Sequence, residues 1–238
     1  MITALIFAGG AGQRVSLSSR PKQFLELYGK PIIIYTLEHF ELHDDIDDIV
    51  IVSLESHISE LHSILQKYGI TKVSKIVPGG NTGHDSIFYG LIAMKENVKE
   101  DDIVLIHDGV RPLITEELIS SNIEAVKKYR AAITVEPARE SIVHSKDGIN
   151  ISDIPNRRDV FVAKAPQSFY YGQILEAYEK AYKDNIKTVD SAQLCNLYNI
   201  PMHIVKSTKN NIKISDSADF YMFRALYEAR ENQQIFGV

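Results

Sequence analysis

Residues 8–14 read AGGAGQR, and PKQ follows at residues 21–23. This glycine-rich stretch comes directly after Ile2 to Phe7, a short and mostly apolar run that predicts a buried parallel strand. Three glycines within four residues let bare backbone come close to a ligand, and successive amide N–H groups in such a turn can hold an anion. Arg14 and Lys22 add two positive charges to the same corner. The stretch therefore predicts a nucleoside triphosphate site behind the first strand of an α/β sheet.

Three familiar types of loop can also place glycines behind a first strand. The simplest is a tight strand-to-helix turn without a ligand, which glycines alone do not exclude. A Walker A loop needs Gly-Lys at a spacing that neither Gly9 nor Gly10 provides, so that loop is excluded. A dinucleotide-binding loop needs a third glycine where Val15 stands, and Pro21 cannot lie inside the helix that would follow.

Composition restricts the possible classes of protein. The chain has 238 residues, of which 45% are hydrophobic and 24% charged, and no linker divides it, so we expect a single domain over residues 1–238. With a net charge of −5 and no basic block, nucleic acid is not an expected partner. No apolar run approaches the roughly 20 residues of a membrane span, and no charged leader precedes the first strand, so we expect a cytoplasmic protein without a membrane partner. The single cysteine, Cys195, excludes a disulfide framework.

Strand and helix candidates alternate along most of the chain, which predicts βαβ units and a parallel sheet. The predicted strands are 2–7, 48–54, 72–77, 103–107, 131–135, 202–205 and 212–214. The predicted helical segments are 22–27, 31–40, 56–68, 84–97, 115–129, 169–182, 190–198 and 217–230. Between residues 136 and 165 the alternation stops, and a hairpin with an Asp147-Gly148 turn is expected. This insert has too few large apolar residues for a core of its own, so we expect it to reach a partner chain.

Polar residues and glycines follow nearly every predicted strand, and ligands of open parallel sheets bind at the carboxyl ends of the strands. These candidates are Arg14, Lys22, Gly79, Gly80, Ser86, Asp108, Arg111, Glu136, Arg139, Glu140, Ser141, Asn211 and Lys213. Any one of them can be ordinary surface, because exposed charges are common. Together they predict an anion site with several cations and one carboxylate, Asp108, placed to hold a divalent metal.

The motifs at these corners resemble those of the CTP-dependent cytidylyltransferases that act on polyol phosphates. The matching stretches are residues 8–14, 21–23, 79–80 with 85–86, 107–112, 166–167 and 211–215. They follow the family order over essentially the whole chain and are specific as a set. The resemblance implies an α/β fold of the Rossmann-like nucleotidyltransferase type, with a doubly wound, mostly parallel sheet. It also implies a β-hairpin arm at residues 137–164 that completes the partner subunit's site in a homodimer.

The resemblance further implies a role for each matching residue. Transfer of CMP from CTP to a polyol phosphate depends on positioning and charge stabilisation more than on a general base. The residues implied to be catalytic are Arg14, Lys22 and Lys213. Those implied to bind the nucleotide are Ala8, Gly9, Gly10, Ala11, Gly12, Gly79, Gly80, Asp85, Ser86, Asp108 and Gly109. Those implied to bind the polyol phosphate are Arg111, Ser141, Arg157 (from the partner subunit) and Lys213. Asp108 is also implied to bind Mg²⁺ or another divalent cation.

Two departures from the family pattern bear on the acceptor. Ala165 stands where the family usually has the threonine of Thr-Pro-Gln, which removes a hydroxyl near the acceptor phosphate, whereas Ser141 in place of a threonine keeps one. Stretches 24–32 and 154–157 are closer to the branch that uses D-ribitol 5-phosphate, which is therefore the expected acceptor. The alternative is 2-C-methyl-D-erythritol 4-phosphate. A CTP-binding module without turnover and a sugar-phosphate nucleotidyltransferase with another NTP also stay open.

Overall fold

The computed structural model describes residues 1–8 and 20–236, with side chains to residue 232. The predicted nucleotide-binding residues Gly9, Gly10, Ala11 and Gly12 therefore lie outside the described residues, as does the predicted catalytic Arg14. Their assignments stay predictions.

The described chain alternates strands and helices. The strands are β1 (Ile2–Ala8), β2 (Glu26–Leu27), β3 (Lys30–Pro31), β4 (Asp48–Ser53), β5 (Val73–Pro78), β6 (Ile103–Asp108), β7 (Ala131–Pro137), β8 (Phe161–Tyr170) and β9 (His203–Lys206). The α-helices are α1 (Ile32–Glu41), α2 (Ile58–Lys67), α3 (Gly83–Ala93), α4 (Glu116–Tyr129), α5 (Tyr171–Lys183), α6 (Ser191–Leu197) and α7 (Ser217–Phe236). Short 3₁₀ turns cover Lys22–Phe24, Glu55–His57 and Arg157–Asp159.

Seven strands form one sheet in the order β5-β4-β1-β6-β8-β7-β9. Strand β8 runs antiparallel to both of its neighbours, and the other adjacent pairs are parallel. The mostly parallel sheet expected from the sequence is therefore confirmed. The carboxyl ends of β1, β4, β5, β6 and β7 meet at one edge of the sheet, which is where the predicted site residues stand.

Helices cover both faces of the sheet, which makes the fold doubly wound. One apolar core joins the sheet to α1, α2 and α4, and a second joins it to α3, α5 and α6. The central strands are apolar on both faces for this reason: Ile6 belongs to the first core and Leu5 to the second, and both are fully buried. A third cluster packs Phe223 of α7 against Leu27 and Tyr35.

Two helices that lead away from this edge begin at side-chain caps. The Thr115 hydroxyl accepts a hydrogen bond from the amide of Leu118, as predicted, and the Thr82 hydroxyl accepts one from the amide of Asp85. These caps fix where α4 and α3 begin, so they also fix the turns that connect them to β6 and β5. Within the described residues, none of the helices has the length and apolar character needed to cross a membrane.

Three sequence predictions of secondary structure are wrong. Residues 161–170 form β8, in the interior of the sheet, where the sequence predicted the end of an insert and the start of a helix. Residues 212–214 are not a strand, and residues 22–27 form a 3₁₀ turn and β2 instead of a helix. Strand β8 forms by pairing with β6 and β7, which local pattern does not report, whereas β2 pairs with the nearby β3.

The segment between β7 and β8, residues 138–160, projects from the sheet and is called the arm below. It turns back as a hairpin with a single antiparallel bridge, in which the His144 amide donates to the Asp153 carbonyl at 2.8 Å. At its tip the Asp147 carboxylate accepts the amides of Ile149 and Asn150, and these bonds hold the pKa of Asp147 well below its ordinary value. The hairpin was predicted, but the two strands expected in it shrink to one bridge.

Candidate active site

Asp108, the last residue of β6, is the centre of the candidate site. It is 4% exposed; its Oδ1 lies 2.5 Å from Nζ of Lys213, and its Oδ2 lies 3.0 Å from Nε of Arg111. Burial alone raises the pKa of a carboxyl, but the two cations outweigh it and lower the pKa of Asp108 to about 2. The carboxylate is therefore ionised at neutral pH, and its two positive partners are held at one point.

The loop of residues 207–215 brings a further cation to this centre. Arg111 Nη1 donates to the carbonyl of Asn211 at 2.9 Å, and Lys22 Nζ donates to the carbonyl of Ser215 at 2.6 Å. Lys22 is thus attached to the loop that supplies the lysine on Asp108, although the two lysines are far apart in sequence. This bond to the Ser215 carbonyl attaches Lys22 to the 207–215 loop, and its grouping with the Asp108 cluster stays a prediction.

The turn after β6 lies very close to the end of β1. The amide of Gly109 donates to the carbonyl of Phe7 at 3.0 Å, and a Cβ on Gly109 would approach the Cβ of Ala8 at 3.1 Å. The carbonyl of Ala8 accepts the buried side-chain amide of Gln23 at 2.6 Å. A side chain at Gly109 would therefore press on the strand end from which the glycine-rich stretch begins.

A second glycine corner, Gly79-Gly80, stands between β5 and α3. The amide of Gly79 donates to the last carbonyl of β4 at 2.8 Å, and the amide of Gly80 donates to Oγ of Ser86 at 3.1 Å. A Cβ on Gly80 would lie 2.3 Å from the Cβ of Asp85, so glycine is required for this packing. Both amides are used within the protein, which leaves carbonyl oxygens as the backbone groups that the corner can offer a ligand.

Contacts that the sequence did not predict fix this corner from the other side. Lys187 Nζ pairs with Oδ2 of Asp85 at 2.9 Å, and Oγ1 of Thr82 donates to the same oxygen at 2.8 Å. Burial raises the pKa of Asp85, but Lys187 and Thr82 bring it below its ordinary value. Because the Asp85 carboxylate is occupied by Lys187 and Thr82, the role that the structure shows for it is to hold the Gly79-Gly80 corner in shape. No local signal predicts the contact, since Lys187 is 102 residues away.

The two predicted acceptor residues of the arm stand apart from the Asp108 cluster. Ser141 and Arg157 are exposed, and Arg157 donates to the carbonyl of Arg139 at 3.0 Å, within its own arm. Among the described residues of the single chain, neither hydrogen-bonds with Asp108 or its two cations. The assignment of Ser141 and Arg157 to the acceptor phosphate therefore stays a prediction.

Sequence reasoning missed one charged residue beside the cluster. Lys164 of β8 lies 2.6 Å from Oε2 of Glu136, and Arg139 lies 3.0 Å from the other oxygen of the same carboxylate. The only local signal was the position of Lys164 next to the 165–167 motif, and it carried no weight because β8 was not recognised as a strand.

The donor set around Asp108 suits only some kinds of metal site. No group of three or more His, Cys, Asp and Glu side chains that could hold a metal ion occurs among residues 1–8 and 20–236. Asp108 supplies one ionised carboxylate, so the described protein fits a cation that takes most of its ligands from nucleotide phosphates and water. Mg²⁺ binds in that way. Both Asp108 oxygens face cations here, so a metal would share this carboxylate with Lys213 and Arg111.

Comparison with known proteins gives one family. The sequence model of the 2-C-methyl-D-erythritol 4-phosphate cytidylyltransferase (IspD) family matches residues 2–228. The ribitol-5-phosphate cytidylyltransferase of Vibrio parahaemolyticus is 46% identical over 238 residues, and that of Streptococcus agalactiae serotype V is 44% identical over 239 residues. Both alignments cover 100% of each chain. The 2-C-methyl-D-erythritol 4-phosphate cytidylyltransferase of Clostridium botulinum is 39% identical over 227 residues, which are 95% of this chain and 97% of that one.

Solved structures of similar proteins have the same fold. The 4-diphosphocytidyl-2C-methyl-D-erythritol synthase of Anaerococcus prevotii superposes with a TM-score of 0.82 at 29% identity, over 95% of this chain and 96% of the other. The 2-C-methyl-D-erythritol 4-phosphate cytidylyltransferase of Francisella tularensis gives 0.78 at 27% identity, over 94% and 98%. The nucleotidyltransferase fold expected from the motifs is confirmed.

Proposed function

Because the chain belongs to the 2-C-methyl-D-erythritol 4-phosphate cytidylyltransferase (IspD) family, we propose that it transfers CMP from CTP to D-ribitol 5-phosphate and releases pyrophosphate. The observation that carries the reaction class is the buried, ionised Asp108 with Lys213 and Arg111 on its two oxygens and Lys22 on the same loop. Two full-length relatives that are 46% and 44% identical carry the name of the ribitol enzyme, which supports the acceptor.

The reaction needs little covalent chemistry from the protein. An oxygen of the acceptor phosphate attacks the α-phosphorus of CTP, the new P–O bond forms, and the bond to the bridging oxygen breaks as pyrophosphate leaves with its electron pair. The acceptor phosphate is already largely ionised at neutral pH, so no base has to remove a proton. Lys22, with Arg14 from the undescribed stretch, would stabilise the charge that grows on the phosphates. Arg111 and Lys213 would hold the acceptor phosphate as charged hydrogen-bond donors.

The nucleotide would be read at the Gly79-Gly80 corner. Carbonyl oxygens there accept hydrogen bonds from an exocyclic amine such as that of cytosine, while Ser86 and Asp85 hold the corner in shape. Mg²⁺ is the proposed cofactor, and Asp108 would hold it together with nucleotide oxygens. When bound, the cation neutralises phosphate charge during transfer.

The arm would complete the acceptor site of a partner subunit in a homodimer. Its isoleucines Ile149, Ile151 and Ile154 are 85%, 60% and 59% exposed, and such apolar side chains favour a protein neighbour. Arg157 and Ser141 would then meet the acceptor phosphate of that neighbour. The cytoplasmic location expected from the N-terminal sequence stays a prediction.

The test is pyrophosphate release with each of the four NTPs against a panel of polyol phosphates. We expect turnover with CTP alone and the highest kcat/KM with D-ribitol 5-phosphate. Asp108→Asn should lose most activity, and Asp101→Asn, at an exposed position, should keep it.

A second acceptor is supported by a specific observation, the 39% identity to the Clostridium botulinum enzyme named for 2-C-methyl-D-erythritol 4-phosphate. A higher kcat/KM with that substrate would replace the proposed acceptor by this one. Tight CTP binding with no turnover on any acceptor would instead indicate a binding module.

A further inference from the structure

Lys164 is a lysine placed inside the sheet. Its side chain is 12% exposed, its Nζ lies 2.6 Å from Oε2 of Glu136, and it donates to the carbonyl of Asn211 at 3.3 Å. An ammonium withdrawn from water is tolerated only where it has charged or hydrogen-bonding partners. One of these partners, the Asn211 carbonyl, belongs to the 207–215 loop, so Lys164 attaches that loop to β8.

Asn211 is the junction between β8 and the Asp108 cluster. Its carbonyl accepts from two cations, Arg111 at 2.9 Å and Lys164 at 3.3 Å, and its side-chain amide donates to the carbonyl of Ala165 at 2.8 Å. The residue is 1% exposed. Two of these three bonds attach the 207–215 loop to β8, and the third attaches it to the Asp108 cluster.

Formal charges around this junction favour an anion. The positive side chains are Arg111, Arg139, Lys164 and Lys213, and the negative ones are Asp108 and Glu136. These ion-paired side chains leave a surplus of two positive charges, and Lys22, bonded to the same loop, adds to it, so the junction suits an anion such as a phosphate monoester. Glu136 offsets part of the charge of Lys164 and Arg139, so Lys164 can stay buried before the acceptor arrives.

We propose that Lys164 is a positioning residue for the acceptor phosphate. It acts through the Asn211 carbonyl, where it fixes the 207–215 loop that carries Lys213 and leaves Arg111 aligned on Asp108. The inference rests on the proposed function and deepens it, because it adds a residue to the part of the site that selects a phosphorylated acceptor. Without Lys164, the Asn211 carbonyl still accepts from Arg111. The 207–215 loop then keeps only the bond from the Asn211 side chain to the Ala165 carbonyl as its attachment to β8 among the bonds described above.

The kinetic test compares Lys164→Met, Lys164→Arg and the control Lys206→Met, which changes an exposed lysine on β9 of the same sheet. For Lys164→Met we expect the KM of D-ribitol 5-phosphate to rise about tenfold, the scale of one charged hydrogen bond. The KM of CTP should change less than about twofold on the same scale. Lys164→Arg should restore most of the acceptor affinity, and Lys206→Met should match the wild type.

A second measurement does not depend on turnover. Hydrogen exchange of the peptide that covers residues 207–216, in the ligand-free protein, should be faster in Lys164→Met than in the wild type or in Lys206→Met. Unchanged acceptor KM with unchanged exchange would overturn the inference, as would equal increases in both KM values with a lower Tm. If the wild type turned over none of the polyol phosphates, the proposed function would fail, and the exchange result would still decide whether Lys164 positions the loop.

Discussion

The Asp108 cluster and the arm contain residues assigned to the same acceptor phosphate, but they are built in opposite ways. Asp108 and Arg111 are 4% and 8% exposed, and each is paired with a charged or carbonyl group from a distant part of the chain. Arg157 and Ser141 are exposed, and Arg157 donates to a carbonyl of its own arm. The fold of one chain therefore brings the residues of the cluster together. The arm has a defined backbone, but its two assigned residues stay exposed at its surface.

The comparison teaches where functional precision comes from in this chain. Around Asp108, buried charges are positioned because an unpaired one would be too unfavourable to bury. In the arm, local turns such as that at Asp147 fix the backbone, and Arg157 is held only by a carbonyl of the arm itself. Four experiments test this contrast between the two regions.

Loss of a cation on the cluster side should have the largest effect. Lys22→Met is expected to lower kcat by a factor on the order of 10² or more, because an ammonium at the phosphates acts on charge that develops in the transition state. Steady-state pyrophosphate release measures it, with Lys183→Met at the exposed end of α5 as the control. Near-normal turnover of Lys22→Met would remove Lys22 from the catalytic set.

Acidification from pH 7.5 to pH 5 should weaken the packing around His39 of α1. Burial, with the nearby Arg230, lowers the pKa of His39 to about 4, so the folded chain resists a proton that the unfolded chain binds near pH 6.5. The stability that the neutral His39 contributes is present above that pH and is lost as the pH falls towards 4. Between pH 7.5 and pH 5 this costs about 2 kcal/mol.

The free energy of unfolding of His39→Gln, measured with urea at both pH values, should fall less than that of the wild type by about that amount. His144→Gln, which replaces a histidine of the arm that is 62% exposed, is measured beside it as the control. An equal acid loss in His39→Gln and the wild type would show that His39 does not resist protonation in the folded chain.

Mixing two impaired variants, assayed with the acceptor well below its KM, tests whether the arm serves a neighbour. Arg157→Ala should raise the KM of the acceptor about tenfold with little change for CTP, since an arginine fork binds phosphate through two bonds. Refolding it together with Lys22→Met should restore about a quarter of the wild-type activity, because half of the dimers are mixed and each has one intact site.

This recovery appears only if Arg157 enters the partner's site. When the arm serves its own chain, every site of the mixed dimer lacks one of the two residues and activity stays low. Light scattering on the same samples reports whether dimers exist, and a fully active monomeric wild type would refute the arm proposal.

The smallest effect is expected where the two regions join. Ala165 is buried beside the junction at Asn211, and a threonine there would add a hydroxyl worth roughly 0.5–1.5 kcal/mol as one hydrogen bond. Ala165→Thr should therefore tighten binding of a polyol phosphate by up to about tenfold. Ala165→Val, of the same shape without the hydroxyl, is the control. If the two variants behave alike, packing and not hydrogen bonding sets the effect, and lower activity in both indicates a bulkier acceptor.

Much of the fold could be predicted from the sequence, because in most elements the hydrophobic pattern and the capping residues agree with the structure that forms. Strand β6 is buried throughout, and α4 begins at the predicted Thr115 cap. Strand β8 could not be predicted in this way, because several of its residues are polar and are satisfied by distant partners. Gln167 hydrogen-bonds with Asp190, and Ser168 with Asn122. In the sequence alone these polar residues resemble those of an exposed loop, because their buried partners are distant along the chain.

The candidate site divides along the same line. Lys22, Asp108, Arg111 and Lys213 could be grouped from the sequence, since each follows a recognisable strand or belongs to a motif. Lys164 and Lys187 could not, because their roles depend on carbonyl and carboxylate partners that only the folded chain brings near. The sequence indicates which charged residues stand at strand ends, but only the folded structure shows which of them have a charged or hydrogen-bonding partner.

The way the arm leaves the sheet bears on how such a protein can change over time. Pro137 and Phe161, on either side of the arm, are paired neighbours on adjacent strands, so the ends of the arm are already closed by the sheet. Lengthening a loop closed at its base costs little, roughly 0.6 kcal/mol for each doubling. An arm of different length or sequence can therefore replace this one between Pro137 and Phe161 while the buried charges around Asp108 keep their positions. Under the role proposed for the arm, such a change would alter the partner chain or the acceptor without rebuilding the sheet.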